Sequence, residues 1–246
     1  MTSFRTLTKR ALGIDSWNSD DHQKRAIADA KTIFDVGANV GQSAQTYRRL
    51  YPQAEIWSFE PFPSTYKDLC RSVSDPRFHP VELAISDRIA KTELNIGAES
   101  IANSFLRRQS DSGNTIEVQT DTIDHFCWER GISNIDILKV DVEGAEERVF
   151  KGAREMFSRG AIQSVFVEVY FRPVYERMPL FWDLDAQLKR AGFGLCGLYS
   201  LSPSRDGFLS FGNALYLRYA ESASADRNGY GRSSELSFEA LARTGT

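Results

Sequence analysis

Thr32-Ile33-Phe34-Asp35-Val36-Gly37-Ala38-Asn39-Val40-Gly41 is the stretch on which the reading of this chain turns. Its first half is a short strand-forming run that ends in an acid and a valine. Its second half sets glycines at 37 and 41 around Asn39. Glycine takes up left-handed backbone without steric cost and lets the main chain come close to a ligand, and Asn is one of the few other residues that tolerates it. A helical segment runs on to Leu50, and Pro52 stops it. The passage therefore reads strand, tight turn, helix. It is not GxGxxG, because Asn39 stands where the second glycine would be, and a pyrophosphate wants that glycine.

Outward from this stretch the same alternation repeats. Residues 55–60 form a second strand, 64–73 a helix with Ser64 as N-cap, and 78–85 a third strand. Between about 86 and 122, KTELNI and TIEVQT alternate in short runs around a polar loop, which predicts extra β-structure beside the main sheet. A short helix over 122–130, a strongly apolar strand over 135–140, a helix from about 144 to 157 and a buried strand over 162–169 follow. A helix over 180–191 leads to a hairpin of 193–201 and 213–220. Alternating strands and helices predict an α/β fold, doubly wound, with helices on both faces of a mostly parallel sheet. An antiparallel finish is compatible with that. The expected organisation is a helical lead-in over 1–31, one domain over 32–220 and a flexible tail over 221–246.

Composition narrows the function. A net charge of −3 over 246 residues gives no basic footprint for a nucleic-acid partner. Three scattered cysteines, Cys70, Cys127 and Cys196, suit a reducing cytoplasm better than a disulfide framework or a zinc cluster. No stretch is apolar enough for membrane insertion. The expectation is a cytoplasmic protein with a small-molecule or glycan partner. The sequence leaves the oligomeric state open, and a homodimer is compatible with it.

In such folds ligands sit beyond the carboxyl ends of the strands, so the residues there carry the functional argument. Glu60 closes the second strand 23 residues after Gly37, where an acid can accept both hydroxyls of a ribose. Glycine turn and strand-end acid together point to an adenosine-type ligand without an essential pyrophosphate, and S-adenosylmethionine fits. Ile85, Ser86 and Asp87 follow the third strand, where they would meet the adenine.

Lys139 and Asp141 lie on one side of the 135–140 strand and its end. A lysine there needs a partner, and Asp141 or Glu143 would supply it. Glu168 ends the next strand, so Asp141 and Glu168 should converge at one rim. Such a pair would accept a hydroxyl proton, or hold a divalent cation, for which Asp141 and Glu168 would be the ligands. Tyr170, Arg172, Tyr175 and Ser104 are acceptor-pocket candidates, together with Glu143. His79 sits at the wrong end of its strand, His125 reads as packing or surface, and His22 has no expected role.

The set DVGANVG (35–41), FEP (59–61), AISD (84–87), TDTID (120–124) and LKVDVEGAEERVFKGA (138–153) resembles the FkbM family of methyltransferases over roughly residues 32–170. The resemblance implies a Rossmann-like seven-stranded sheet with an antiparallel final strand, and S-adenosylmethionine-dependent O-methylation of sugars, polyketides or other secondary or cell-surface metabolites. It further implies that Asp35, Gly37, Asn39 and Gly41 belong to the methionine end of the cofactor site, Glu60 to the ribose and Ile85 to Asp87 to adenine. Asp141, Glu143 and Glu168 then fall at the reactive rim, with Lys139 as electrostatic support. Two alternatives stay open: a nicotinamide-dependent oxidoreductase or epimerase, which the missing glycine weakens, and a non-catalytic domain that keeps the cofactor pocket.

Overall fold

The computed structural model describes residues 18–95, 115–175 and 177–219. The elements run α1 (Ser19–Ala26), β1 (Thr32–Val36), α2 (Gln42–Leu50), β2 (Glu55–Phe59), α3 (Pro63–Ser72), β3 (Phe78–Val81), β4 (Ala84–Ile85), β5 (Ala90–Asn95), β6 (Thr115–Asp121), α4 (Ile123–Arg130), β7 (Ile135–Val140), α5 (Glu146–Lys151), α6 (Arg154–Ser158), β8 (Ile162–Tyr170), α7 (Phe181–Arg190), β9 (Phe193–Pro203) and β10 (Leu209–Arg218).

Seven strands make the central sheet in the order β3-β2-β1-β7-β8-β10-β9. Every pairing from β3 through β8 is parallel, and β10 is antiparallel to both β8 and β9. Strand order reverses beside β1, which places the ligand crevice above β1 and β7. The pleat divides the core. Ile33, Ile56 and Ile137 pack with Ala44, Tyr47 and Leu69 of α2 and α3 on one face. Their chain neighbours Phe34 and Leu138 pack with Phe126, Val149, Met156 and Leu184 of α4 to α7 on the other. Successive residues facing opposite layers is the signature of a sheet covered on both sides. Before β1, α1 buries Gln23 under the hydroxyl of Tyr47, which donates to it at 3.1 Å.

The structure departs from the sequence reading in three places. The expected strand over 78–85 is two strands in two sheets. After Val81 the chain turns, and Ala84–Ile85 joins β5 and β6 in a three-stranded sheet of order β4-β6-β5. The helix expected from about 144 to 157 is two short ones. Gly152 sits in the break because a Cβ there would lie 2.0 Å from the Ser86 carbonyl oxygen. The Asp124 carboxylate secures the restart by accepting from the Glu155 and Met156 amides, both at 2.9 Å. Finally, Phe62 rather than Ser64 is the N-cap of α3, because Pro63 at the first helical position starts it earlier. The expected tail over 221–246 and most of the lead-in lie outside the described residues. No described helix is long and apolar enough to cross a membrane.

Candidate active site

The carboxyl ends of β1, β2 and β7 open on a cleft of about 380 Å³. Its floor is the glycine turn. Gly37, Asn39 and Gly41 have φ of 77°, 49° and 95°, the left-handed backbone that their residue types permit. Gly37 is required for a second reason, since a Cβ there would lie 1.8 Å from the Asp141 carbonyl oxygen. The missing Cβ of Gly41 faces Ser72 and Leu69 of α3, so this glycine serves packing and does not line the cleft. Gln42 and Ser43, at the start of α2, do line it; their position just after the turn was the available signal.

Glu60 lies on the cleft wall, 7% exposed. One carboxylate oxygen accepts from the Asn39 amide at 3.0 Å and the other from the Phe62 amide at 2.9 Å. Burial raises its pKa, and the two amides oppose that rise. Asn39 also lines the cleft, and its Oδ1 is buried with no partner among the described residues. An orphaned acceptor of this kind calls for a donor on the molecule that fills the cleft.

The far end is apolar. Phe62, Leu83, Ala84, Ile85 and Leu94 line it, with Leu94 delivered by the inserted sheet. Ser86 and Asp87, expected beside Ile85, do not line the cleft. Pairing of Ala84–Ile85 with Thr120–Asp121 carries the chain away, so the Ser86 amide donates to the Asp121 carbonyl and Asp87 pairs with Arg88 at 3.2 Å. Asp35 is also displaced from its expected place, being fully buried below the turn with no exposed surface for a ligand.

Asp35 instead belongs to an ion-pair row that crosses the sheet. Register puts Ser58, Asp35 and Lys139 side by side on β2, β1 and β7. Lys139 Nζ lies 3.1 Å from Asp35 Oδ1 and 3.5 Å from Asp141 Oδ2, and it donates to the Gly37 carbonyl at 3.2 Å. Burial opposes the lysine's charge, but the flanking carboxylates outweigh it and hold its pKa above the ordinary lysine value. One ammonium thus ties together the core, the glycine turn and the rim.

At the rim, Asp141, Glu143 and Glu168 line the cleft and bring one carboxylate oxygen each within 4.8 Å of one another. Burial, then the charges of Asp141 and Glu143, push the Glu168 pKa up to about 9, against a hydrogen bond from Tyr170. Below them Glu146 is fully buried, accepting from the Val142 and Gly144 amides at 3.3 and 3.1 Å, with its pKa pushed up to about 7 by burial. The Lys139 ammonium and the Tyr170 and Tyr175 hydroxyls face the rim oxygens, and we assign no cation to them.

The acceptor candidates separate. Tyr170 is buried behind Glu168 and does not line the cleft. Arg172 pairs with Asp206 and Ser204 on the β9–β10 loop, because the chain leaves the sheet after Tyr170. Ser104 lies outside the described residues. His79 stacks on Trp57, with ring centroids 4.2 Å apart, and His125 is held by Asp121 at 2.9 Å; neither lines the cleft.

The methyltransferase FkbM domain matches residues 35–195. The chain is 29% identical over 171 residues to the 2-O-methyltransferase NoeI of Sinorhizobium fredii (strain NBRC 101917 / NGR234), covering 62% of this chain and 69% of that protein. It is 29% identical over 156 residues to the 31-O-demethyl-FK506 methyltransferase FkbM of Streptomyces tacrolimicus, covering 50% of this chain and 59% of that one. A solved S-adenosylmethionine-dependent methyltransferase from Listeria monocytogenes shares the fold, with a TM-score of 0.50 at 7% identity over 81% of this chain and 97% of that one. Matched through the glycine turn, the rim and the sheet that joins them, this chain belongs to the FkbM family of S-adenosylmethionine-dependent methyltransferases.

Proposed function

We propose that the chain methylates a hydroxyl oxygen of a small sugar-like or polyketide-like acceptor. The observation that carries this is the carboxylate rim of Asp141, Glu143 and Glu168 at the open end of the cofactor cleft. Two relatives named for O-methyl transfer support the same reading.

The residues present fit S-adenosylmethionine. Glu60 would take the ribose, the Gly37–Asn39 turn with its orphaned Asn39 acceptor the methionine part, and Ile85, Leu94 and Phe62 the adenine. When bound, the cofactor supplies an electrophilic methyl group on a sulfonium. A neutral hydroxyl is a poor nucleophile, so this chain must orient the oxygen and remove its proton. Asp141, paired with Lys139, accepts that proton. Glu168 carries its own proton at neutral pH and donates a hydrogen bond that fixes the acceptor. Lys139 is the electrostatic support that holds the Asp141 carboxylate in place. The dispersed thiols of Cys70, Cys127 and Cys196 support a reducing cytoplasm as the compartment.

Calorimetric titration with S-adenosylhomocysteine, with NAD as control, tests the cofactor half. Methyl transfer to a panel of monosaccharides, oligosaccharides and 31-O-demethyl-FK506 tests the acceptor half. The expected result is binding of S-adenosylhomocysteine alone, and turnover that Asp141→Ala and Glu168→Ala each abolish. Turnover that survives both substitutions overturns the assignment of the base and its partner.

A further inference from the structure

The loop after β8 is built around a sulfur and two phenols. Met178 Sδ accepts from the Val174 and Tyr175 amides at 3.0 and 3.2 Å. The rings of Tyr170 and Tyr175 meet edge to face, centroids 6.4 Å apart, buried with Met178 under Leu180. Neither ring lines the cleft. Their hydroxyls both point at the rim acids. Tyr175 donates to Glu143 Oε2 at 2.5 Å. The Tyr170 hydroxyl lies 2.7 Å from Glu168 Oε2 and 3.2 Å from Glu143 Oε2.

Buried phenols that both end on carboxylates cost more than phenylalanines unless the bonds do something, because each must be desolvated and oriented. Here they oppose two specific strains. Glu143 has φ of 55°, a left-handed backbone that a glutamate adopts only when held there. Glu168 faces Glu143, Asp141 beyond β7 and Glu146 at the start of α5, while Lys139 is engaged on the far side of Asp141. Ionised together, acids so close would swing apart.

We propose that Tyr170 and Tyr175 are positioning residues that clamp the Glu143 and Glu168 carboxylates into one fixed pair facing the acceptor. Tyr175 holds Glu143 against its neighbour, and Tyr170 bridges the two. Met178 fixes the loop that delivers Tyr175. This rests on the reading that Glu168 faces the acceptor, and it assigns the phenols to the acids and not to the substrate. A reacting group must be held within roughly half an ångström of its productive place, and a support of this kind supplies that restraint.

The test is a pH titration of the full chain, chelator-treated and labelled with ¹³C at the glutamate carboxyl carbons. The Glu143 and Glu168 resonances are assigned from Glu143→Gln and Glu168→Gln. The clamp gives the two phenylalanine variants opposite signs. Tyr175→Phe removes the shorter of the two phenol bonds to Glu143 and loosens it, so the proton affinity of Glu168 falls about tenfold or more. Tyr170→Phe removes a donor to the Glu168 carboxylate, so that affinity rises. Tyrosines that merely fill space would move neither. Met178→Ala keeps both phenols and both acids but frees the loop that delivers Tyr175, so it must lower the Glu168 affinity as Tyr175→Phe does, and it decides the matter if a phenylalanine variant fails to fold. An unmoved Glu168 midpoint in Tyr175→Phe, or in Met178→Ala, overturns the proposal. Titration of the same samples with S-adenosylhomocysteine separates the two readings. Failure of the wild type to bind it sinks the cofactor assignment and leaves the clamp standing on its carboxyl signals.

Discussion

Lys139→Met removes the ammonium that lies 3.1 Å from Asp35 and donates to the Gly37 carbonyl at 3.2 Å. Asp35 is fully buried and Lys139 is 6% exposed, so the aspartate is left behind out of reach of bulk solvent, with only the Ser58 hydroxyl still donating to it among the described side chains. Breaking a buried pair from one side costs roughly 3–5 kcal/mol. For a domain of this size that is a fall in melting temperature on the order of 10 °C. Asp35 can escape part of the cost by taking up a proton, since burial already raises its pKa in the intact protein. A carboxyl whose folded pKa lies above its unfolded value contributes stability at low pH and loses it as pH rises through the folded value. The deficit should therefore be small near pH 4 and grow toward neutrality.

Urea and thermal unfolding of the wild type, Lys139→Met, Asp35→Asn and the double variant, at about pH 5 and about pH 7.5, measure this. The double variant removes both charges and should recover most of the loss. Its affinity for S-adenosylhomocysteine should still fall about tenfold, because the Gly37 carbonyl remains without its charged donor. A Lys139→Met protein within about 1 kcal/mol of wild type near neutral pH, or a deficit that shrinks as pH rises, refutes the argument.

Glu168→Gln should flatten the pH dependence of stability. The folded pKa of Glu168 is raised from the ordinary carboxylate value to about 9, so the wild type loses stability between those limits as pH rises and the glutamine variant does not; melting curves across the range check it. Gly37→Ala should abolish binding of S-adenosylhomocysteine and lower the melting temperature, since its methyl group would sit 1.8 Å from the Asp141 carbonyl at a φ of 77°. Glu60→Ala should weaken that binding at least about tenfold in calorimetry, and it frees the Asn39 and Phe62 amides as well. Asp124→Ala should cost about 1 kcal/mol through loss of the α6 cap, read by urea unfolding, with ligand binding unchanged.

What could be read from the sequence was local. The glycine turn, Glu60, the acids after β7 and Glu168 near the end of β8 each lie within a few residues of the feature that gives them meaning, and the structure brings them to one cleft. Lys139 needed a carboxylate, and the sequence offered Asp141 or Glu143. The nearer partner is Asp35, 104 residues earlier, and only the register of β1 against β7 reveals it. The same distance hid the fate of Ser86 and Asp87, which depends on β6 pairing more than thirty residues downstream. Tyr170 was legible as a neighbour of Glu168, two residues on along one face of a strand. Its burial behind the acid was not, because that depends on how the loop through Met178 folds back.

The three-stranded insert touches the cleft through Ala84, Ile85 and Leu94, yet it hangs from the main sheet by a single excursion of the chain between β3 and β7. The entropy of closing such an excursion grows only with the logarithm of its length, about 0.6 kcal/mol for each doubling. The central sheet is therefore nearly indifferent to what is spliced in at this point. Selection can rewrite one wall of the reaction chamber at little cost to folding, while the glycine turn and the acid rim, locked into the sheet by Lys139, stay fixed.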